Sequence, residues 1–214
     1  MRTEASTKRK CIGEYTYAVA GLLDVRDVCA RGCDQLRPSR LNCIILARMA
    51  IAEDLAHVIH QEAELRLSRF DHDDAWKLGV LLRDLAISRN QGVVIDIRRF
   101  GQPSQPLFYT SLPGTTPDNA RWVQRKSNVV ARFHRSSYQV GLYLAHNNLT
   151  FNEKYALPDA DYAAHGGSFP LHVVNAGVIG SVTVSGLPQR EDHNLVVEAL
   201  CLTLGRDSAS LRLP

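Results

Sequence analysis

The residues whose types and spacing could do chemistry lie mainly between Ala164 and His193. The run Ala164–Ser168 (AHGGS) places a titratable imidazole beside a diglycine, which can adopt positive φ and let backbone N–H groups approach a ligand. The run Ser185–Pro188 (SGLP) precedes the predicted start of the last helix, where free N–H groups and the helix dipole favour an anion. The ligand-binding candidates of this region are His165, Gly166, Gly167, Ser185, Gly186 and His193.

Each of these features also has a structural explanation, and the residues alone leave both open. The diglycine could be a strained turn into the next strand, with His165 bonded to a backbone carbonyl. The carboxylates of Glu191 and Asp192 could cap the helix themselves. At that position His193 is more typical of a surface residue in the first helical turn than of a catalyst.

A cationic stretch supplies the second set of candidates. Residues 119–152 contain no Asp or Glu, whereas residues 53–74 contain seven. Guanidinium and ammonium groups recognise carboxylates, phosphates or haem propionates, and the candidates are Lys126, Arg132, His134 and Arg135. The alternative is that the cationic stretch pairs with the acidic one, within a subunit or across an oligomer interface.

No complete catalytic constellation is evident, so catalytic residues stay unassigned. The serines near His134 would point in different directions on a helix, and the chain contains no GxSxG elbow, P-loop, GxGxxG or HExxH motif. The spacing of Cys11, Cys29, Cys33 and Cys43 matches no metal site, and we expect no metal.

Hydrophobic periodicity predicts an α-β-α-β-β-α-β-β-α order. The predicted helices are 51–65, 72–89 (with Trp76 buried), 116–145 and one from about Asp192. The predicted strands are 65–70, 92–100, 107–111, 169–174 and 178–185. Tight turns between consecutive strands favour an α/β (α+β) fold with a mainly antiparallel sheet flanked by helices.

Composition and charge narrow the function classes. The 214 residues carry a net charge of +3, but residues 1–48 hold nine Lys/Arg and five Asp/Glu while residues 49–214 hold sixteen and seventeen. A body of net charge −1 without a basic motif argues against nucleic acid, and no apolar run is long enough for a membrane span. The single body cysteine, Cys201, suits a cytoplasmic location.

The same division predicts the domain organisation. We expect residues 1–48 to be a leader that is disordered or an over-extended translation start, and residues 49–214 to form one domain.

Several stretches together resemble an uncharacterised protein family of the haem-degrading-domain superfamily. They are WKLG (76–79), LPGTTPDNARW (112–122), RKSNVVARFHRSS (125–137), DYAAHGGSFP (161–170) and GVIGSVTVSGLPQREDH (177–193). The superfamily includes haem-binding sensor proteins, glycolate-operon proteins and the C-terminal domain of corrinoid adenosyltransferases. The resemblance implies a profilin-like fold, a homo-oligomer and haem or another tetrapyrrole as a candidate ligand.

Three functions follow, in order of preference. The first is an oligomeric protein that binds a small ligand, namely haem, another tetrapyrrole or an anionic small molecule, with Lys126, Arg132 or Arg135 meeting the acidic groups. The second is a non-catalytic protein-interaction module. The third is an enzyme on a small carboxylated or phosphorylated metabolite, with His165 or His193 as general acid or base.

Overall fold

A computed structural model describes residues 40–214, with side chains from Ile44 onward. In chain order the elements are α1 Arg40–Glu64, α2 His72–Ser88, β1 Val94–Arg99, β2 Gln105–Ser111, α3 Pro117–Phe133, α4 Ser137–His146, α5 Phe151–Tyr155, β3 Ser168–Val173, β4 Gly177–Ser185, α6 Gln189–Leu204 and α7 Ser208–Leu211. Within the described residues, no helix is long and apolar enough to cross a membrane.

The four strands form one sheet in the order β2-β1-β4-β3, and every neighbouring pair is antiparallel. The predicted α+β fold with an antiparallel sheet and flanking helices is therefore confirmed. A short turn joins β3 to β4, with Asn175 at φ 65° and Gly177 at φ 77°. Positive φ is tolerated by Asn and Gly, which explains why the turn is found at this tripeptide.

One face of the sheet is apolar and holds the main core. Side chains alternate between the faces along a strand, so Ile95 and Ile97 of β1 and Val182 and Val184 of β4 point the same way. They are fully buried, in one cluster with residues of α2 and α6. Burial of this apolar layer stabilises the fold through the hydrophobic effect.

The opposite face is polar, and α3 covers it across β1, β4 and β3. Asp96 of β1 accepts two hydrogen bonds from the Arg98 guanidinium, at 2.6 and 2.9 Å. The Ser127 hydroxyl of α3 lies 2.9 Å from that of Ser181. Because water is excluded here, each polar group needs a protein partner, and these side chains provide one.

The predicted helix over 116–145 is wrong in its length, because the structure contains two helices there. His134 ends α3 in the left-handed conformation at φ 53°, and Ser136 starts α4 by accepting from the Gln139 N–H at 3.1 Å. Serine favours such a cap over a helix interior because its hydroxyl competes for nearby backbone groups. The break turns the chain between Phe133 and Ser137.

Two further predictions in the first half are wrong. Residues 65–70 do not form a strand, since only Leu67 bridges to Val173. Trp76 is 64% exposed, because α2 buries the stripe that contains Ala75, Leu78 and Leu82 instead. The Trp76 indole packs edge-on against Phe108 with ring centroids 5.7 Å apart.

Helix α1 begins at Arg40, which precedes the domain start that we expect at Met49, and that boundary stays a prediction. The rest of the predicted leader, residues 1–39, lies outside the described residues. The division into a leader and one domain therefore stays a prediction for that part.

Candidate functional site

The structure distributes the predicted site residues over two places. The first, which we call the lysine–aspartate cluster, comprises Lys126, Asp192, Gly167 and Gly186 with their neighbours His165, Gly166 and Ser185. The second is the break between α3 and α4, which carries Arg132, His134 and Arg135. His193 belongs to neither place, because its side chain points toward α1.

Lys126 is engaged by the protein itself. Its ammonium donates to the Asp192 carboxylate at 2.7 Å and to the Val184 carbonyl at 3.2 Å, and its side chain is 3% exposed. The second Asp192 oxygen accepts from the Leu187 N–H at 3.0 Å, as expected for a carboxylate near a helix start. This pairing accounts for the buried charge of Lys126 without a ligand.

Burial dominates the titration of this pair. Burial raises the pKa of Asp192 to about 6, although the charge of Lys126 opposes the rise. Burial likewise lowers the pKa of Lys126, and Asp192 opposes that change. Each group opposes the shift that burial causes in its own partner's pKa, and the pair is closed to solvent, which is the arrangement of a structural ion pair.

The diglycine packs against this pair rather than facing an open space. Gly167 has φ 123°, and a Cβ there would stand 2.3 Å from the Val184 oxygen and 2.8 Å from the Lys126 Nζ. A Cβ on Gly166 would stand 2.0 Å from the Gln189 oxygen. Both positions therefore need glycine, Gly167 for close packing around the buried lysine and Gly166 for close approach to the start of α6.

His165 lies at the edge of the cluster, against α3. Its ring is edge-on to the Trp122 ring, with centroids 5.2 Å apart. The Arg125 guanidinium stacks on the same Trp122 ring, 4.5 Å from its centroid. Burial lowers the pKa of His165, and the charges of Lys126 and Arg125 lower it further. Its buried Nδ1 has no partner among the described residues.

The interpretation of His193 as a surface residue is wrong. The side chain is fully buried, and its Nε2 bonds to the Gln61 Oε1 of α1 at 2.8 Å. Burial lowers the pKa of His193 to about 3, with smaller contributions from Arg190 and His57. The helix start at Gln189, three residues before the expected one, turns this position into the core.

The break between α3 and α4 opens a cavity of about 360 Å³. We call it the arginine cavity, and it is lined by Phe133, Arg135, Gln139, Val140, Tyr143 and Tyr155. Phe133 and Tyr155 have ring centroids 4.5 Å apart, and the Lys154 ammonium lies 5.9 Å from the Tyr143 ring. Aromatic walls with one cationic group are typical of a small-ligand pocket.

Glu62 of α1 supports the cavity from behind. Its carboxylate accepts from the Ser136 N–H at 2.8 Å, and the Gln139 amide, oriented with its NH₂ toward it, donates 3.0 Å to both oxygens. Burial raises the pKa of Glu62, while Ser136 and the charge of Arg135 oppose the rise. One acidic residue of the 53–74 stretch thus meets the cationic stretch.

Of the predicted cationic candidates, only Arg135 lines this cavity. Arg132 and His134 are exposed at the end of α3, and their roles stay predictions. The aromatic and polar lining residues were missed by the sequence reasoning, which treated 116–145 as one helix and the region of Tyr155 as irregular. The paired break signals, Ser136 as a cap and Thr150 before α5, were present in the sequence.

Removing either partner of the buried ion pair should destabilise the protein, and removing both should cost less than the two single losses added together. Lys126→Met leaves the Asp192 carboxylate without its cation, so we expect the free energy of unfolding near pH 7.5 to fall by about 3–5 kcal/mol. The double variant Lys126→Met/Asp192→Leu should lose clearly less than the sum of the single variants. Urea unfolding measures the free energy of unfolding of Lys126→Met, Asp192→Leu and the double variant. Additive losses would contradict the pairing.

Acid should destabilise the protein through His193. In the folded state the pKa is about 3, whereas an unfolded histidine titrates near 6.5, so unfolding takes up a proton between these values. The stabilisation is complete above pH 6.5 and declines by roughly 1.4 kcal/mol for each pH unit below it. The free energy of unfolding, measured in urea from pH 7 to 4, should depend less steeply on pH in His193→Gln than in the wild type, by about one proton. The control His60→Gln, at an exposed position, should keep the wild-type slope of free energy against pH. Equal slopes in all three proteins would contradict the burial of a neutral imidazole.

Comparison with known proteins identifies the family to which the chain belongs. The family model described as haem degrading protein HbpS-like matches residues 70–201. A UPF0303 protein of Acidobacterium capsulatum is 55% identical over 166 residues, which cover 78% of this chain and 99% of the relative.

Two solved structures show the same architecture. The crystal structure of Ybr137w protein superposes with a TM-score of 0.65 at 30% identity, covering 71% of this chain and 87% of that one. The crystal structure of a PduOC–haem complex superposes with a TM-score of 0.52 at 13% identity, covering 63% and 94%, and this likeness concerns the fold alone. The chain therefore belongs to the HbpS-like family of haem-degrading-domain proteins.

Proposed function

We propose that this protein binds a small planar ligand that carries an anionic group, and that the arginine cavity is the binding site. The observation that carries the proposal is the convergence of Arg135 and three aromatic side chains on one cavity of about 360 Å³. Pockets for small molecules are mostly apolar, with a few polar groups that fix orientation, and have volumes of about 300–1000 Å³. Haem or another tetrapyrrole is the first ligand to test, and a smaller anionic molecule is the alternative.

The lining residues suit the chemistry of such a ligand. The rings of Phe133, Tyr143 and Tyr155 offer flat apolar contact, and the Arg135 guanidinium offers paired donors to a carboxylate. Glu62 is already bonded to Ser136 and Gln139, so the guanidinium keeps donors for a ligand. The lysine–aspartate cluster is less suited, because its cation is closed off by Asp192.

Haem has both features that these lining residues suit, a flat apolar ring system and carboxylate groups. Arg135 would pair with a propionate, and the aromatic walls would pack against an edge of the macrocycle, as the cavity is at the small end of the usual range. Membership of the HbpS-like family and the fold shared with a haem-binding protein support this choice. When bound, haem would supply the oxidative chemistry of its iron, and the protein would supply orientation and electrostatics.

Hemin titration of the full-length protein should give a saturable Soret shift with one site per subunit. We expect Arg135→Gln to weaken binding by about 10-fold or more, because a hydrogen bond to a charged group contributes about 1.5–3 kcal/mol. Arg132→Gln is the matched control, since Arg132 is exposed three residues earlier and does not line the cavity. Absorbance spectroscopy at micromolar protein measures each affinity.

A titration without saturation would remove the haem version of the proposal. Equal losses in Arg135→Gln and Arg132→Gln would mean that a general surface charge attracts hemin. Both variants should unfold at the wild-type temperature, which circular dichroism checks.

We also propose that the protein forms a homo-oligomer. The support is an apolar surface on the first half of α1, where four large side chains are about half exposed, namely Ile44, Ile45, Leu46 and Met49. Sedimentation equilibrium of the full chain should give a mass above that of one subunit, and Ile45→Glu/Met49→Glu should lower it. The control Ile87→Glu, at a similarly exposed apolar position of α2, should keep the oligomer, and an unchanged mass in the double variant would contradict the assignment of this surface.

The remaining functional hypotheses stay predictions. They are the interaction module and the metabolite enzyme, together with the cytoplasmic location that Cys201, the one cysteine of residues 49–214, suggests.

A further inference from the structure

We propose that the arginine cavity selects a small aromatic carboxylate that carries a hydroxyl or amino donor on its ring. This inference rests on the proposed function and narrows the class of its ligand. It follows from three features of the cavity: its charge, its shape and the orientation of one amide.

The charge of the lining is positive only. Arg135 is the charged residue among the six lining residues, and the Lys154 ammonium adds a second positive charge over the Tyr143 ring at 5.9 Å. The neighbouring carboxylate, Glu62, lies behind Gln139 and is bonded to it. A ligand carboxylate therefore gains attraction from Arg135, whereas a cationic ligand does not.

The shape of the lining favours one or two flat rings. Phe133 sits at the centre of the aromatic wall, 4.5 Å from the Tyr155 ring and 5.9 Å from the Phe151 ring between centroids. Rings at these distances form edge-on or tilted pairs, to which a further aromatic ring adds favourably. With about 360 Å³, the cavity encloses a molecule near the lower end of the usual ligand range.

The Gln139 amide oxygen can accept a hydrogen bond from a donor on the ligand. Because the amide nitrogen lies 3.0 Å from each Glu62 oxygen and donates to that carboxylate, the carbonyl oxygen faces away from Glu62 and is the acceptor that the amide offers. Glu62 is itself fixed by the Ser136 N–H at 2.8 Å, so the amide cannot rotate without losing these bonds. A fixed acceptor favours a ligand O–H or N–H and disfavours an analogue without one.

The second cation–aromatic pair within the described residues is less suited to this ligand. Arg125 also lies beside an aromatic ring, Trp122, but its Nε donates to the Asp159 carbonyl at 2.8 Å. Its guanidinium is thus occupied by stacking and by the backbone. The surface around Trp122 and His165 is the alternative location for a bound acid.

Calorimetric titration of the full-length protein tests the ligand class. The probes are the three monohydroxybenzoates, benzoate, and the hydroxybenzamide that matches the tightest acid. We expect one hydroxybenzoate to bind at one site per subunit. The amide should bind about 10-fold or more weakly because it lacks the charge, and benzoate about 5-fold or more weakly because it lacks the donor.

Variants assign each preference to a residue. In Arg135→Gln the acid and the amide should bind alike, and in Gln139→Leu the hydroxybenzoate and benzoate should bind alike. Arg132→Gln should retain both preferences. The selectivities of the wild-type protein test the ligand class without any variant, so a variant that fails to fold leaves the test intact.

Distinct results separate this inference from the proposed function. Arg135-dependent hemin binding with no binding of any hydroxybenzoate at millimolar concentration would overturn the ligand class and retain the cavity as the site. Failure of hemin and every acid would overturn both. Hydroxybenzoate binding that is unaffected by Arg135→Gln but lost in Trp122→Ala would also overturn the inference, because it would place the acid beside His165.

Discussion

The fold depends on the burial of a polar sheet face beneath α3. On this face Asp96, Arg98 and Thr183 are removed from water, and each unpartnered group would cost more free energy than an apolar contact returns. The structure meets this constraint with paired groups: Asp96 with Arg98, Ser127 with Ser181, and Lys126 with Asp192. Three residues of α3 take part in this network: Ser127 bonds to Ser181, Lys126 bonds to the Val184 carbonyl, and Gln124 accepts from Arg98 at 2.7 Å. Because these bonds have specific geometry, they fix the position and rotation of α3 over the sheet more tightly than apolar packing would.

The position of α3 then determines where a ligand can bind. Midway along the helix, Lys126 and the surrounding glycines form a closed, fully occupied region. At its C-terminal end the helix stops at His134, and the chain turns before α4. The arginine cavity lies at this turn, where Arg135 has left the helix and is not covered by the sheet. The same helix therefore supplies a structural lysine at its centre and leads, just beyond its end, to Arg135 in the cavity that we propose as the binding site.

The sequence predicted the α+β class, the four strands and their tight turns, because alternation and glycine signals act locally. It also predicted the family, from motifs spread over the body of the chain. It failed where tertiary contacts decide: Leu67 makes one bridge instead of a strand, Trp76 lies outside, and His193 lies inside. The arginine cavity could not be predicted because Phe133, Gln139 and Tyr155 come from three helices whose packing leaves no periodic signal. Lys126 resembled an anion-binding residue because a sequence does not show that Asp192 lies 2.7 Å away.

The most direct test of the central claim is a crystal structure of the full-length protein with the tighter binder among hemin and the hydroxybenzoates. We predict electron density in the arginine cavity, with a ligand carboxylate within hydrogen-bond distance of the Arg135 guanidinium and the ring against Phe133 and Tyr155. Ligand density beside Trp122 and His165, with only water in the arginine cavity, would contradict the account.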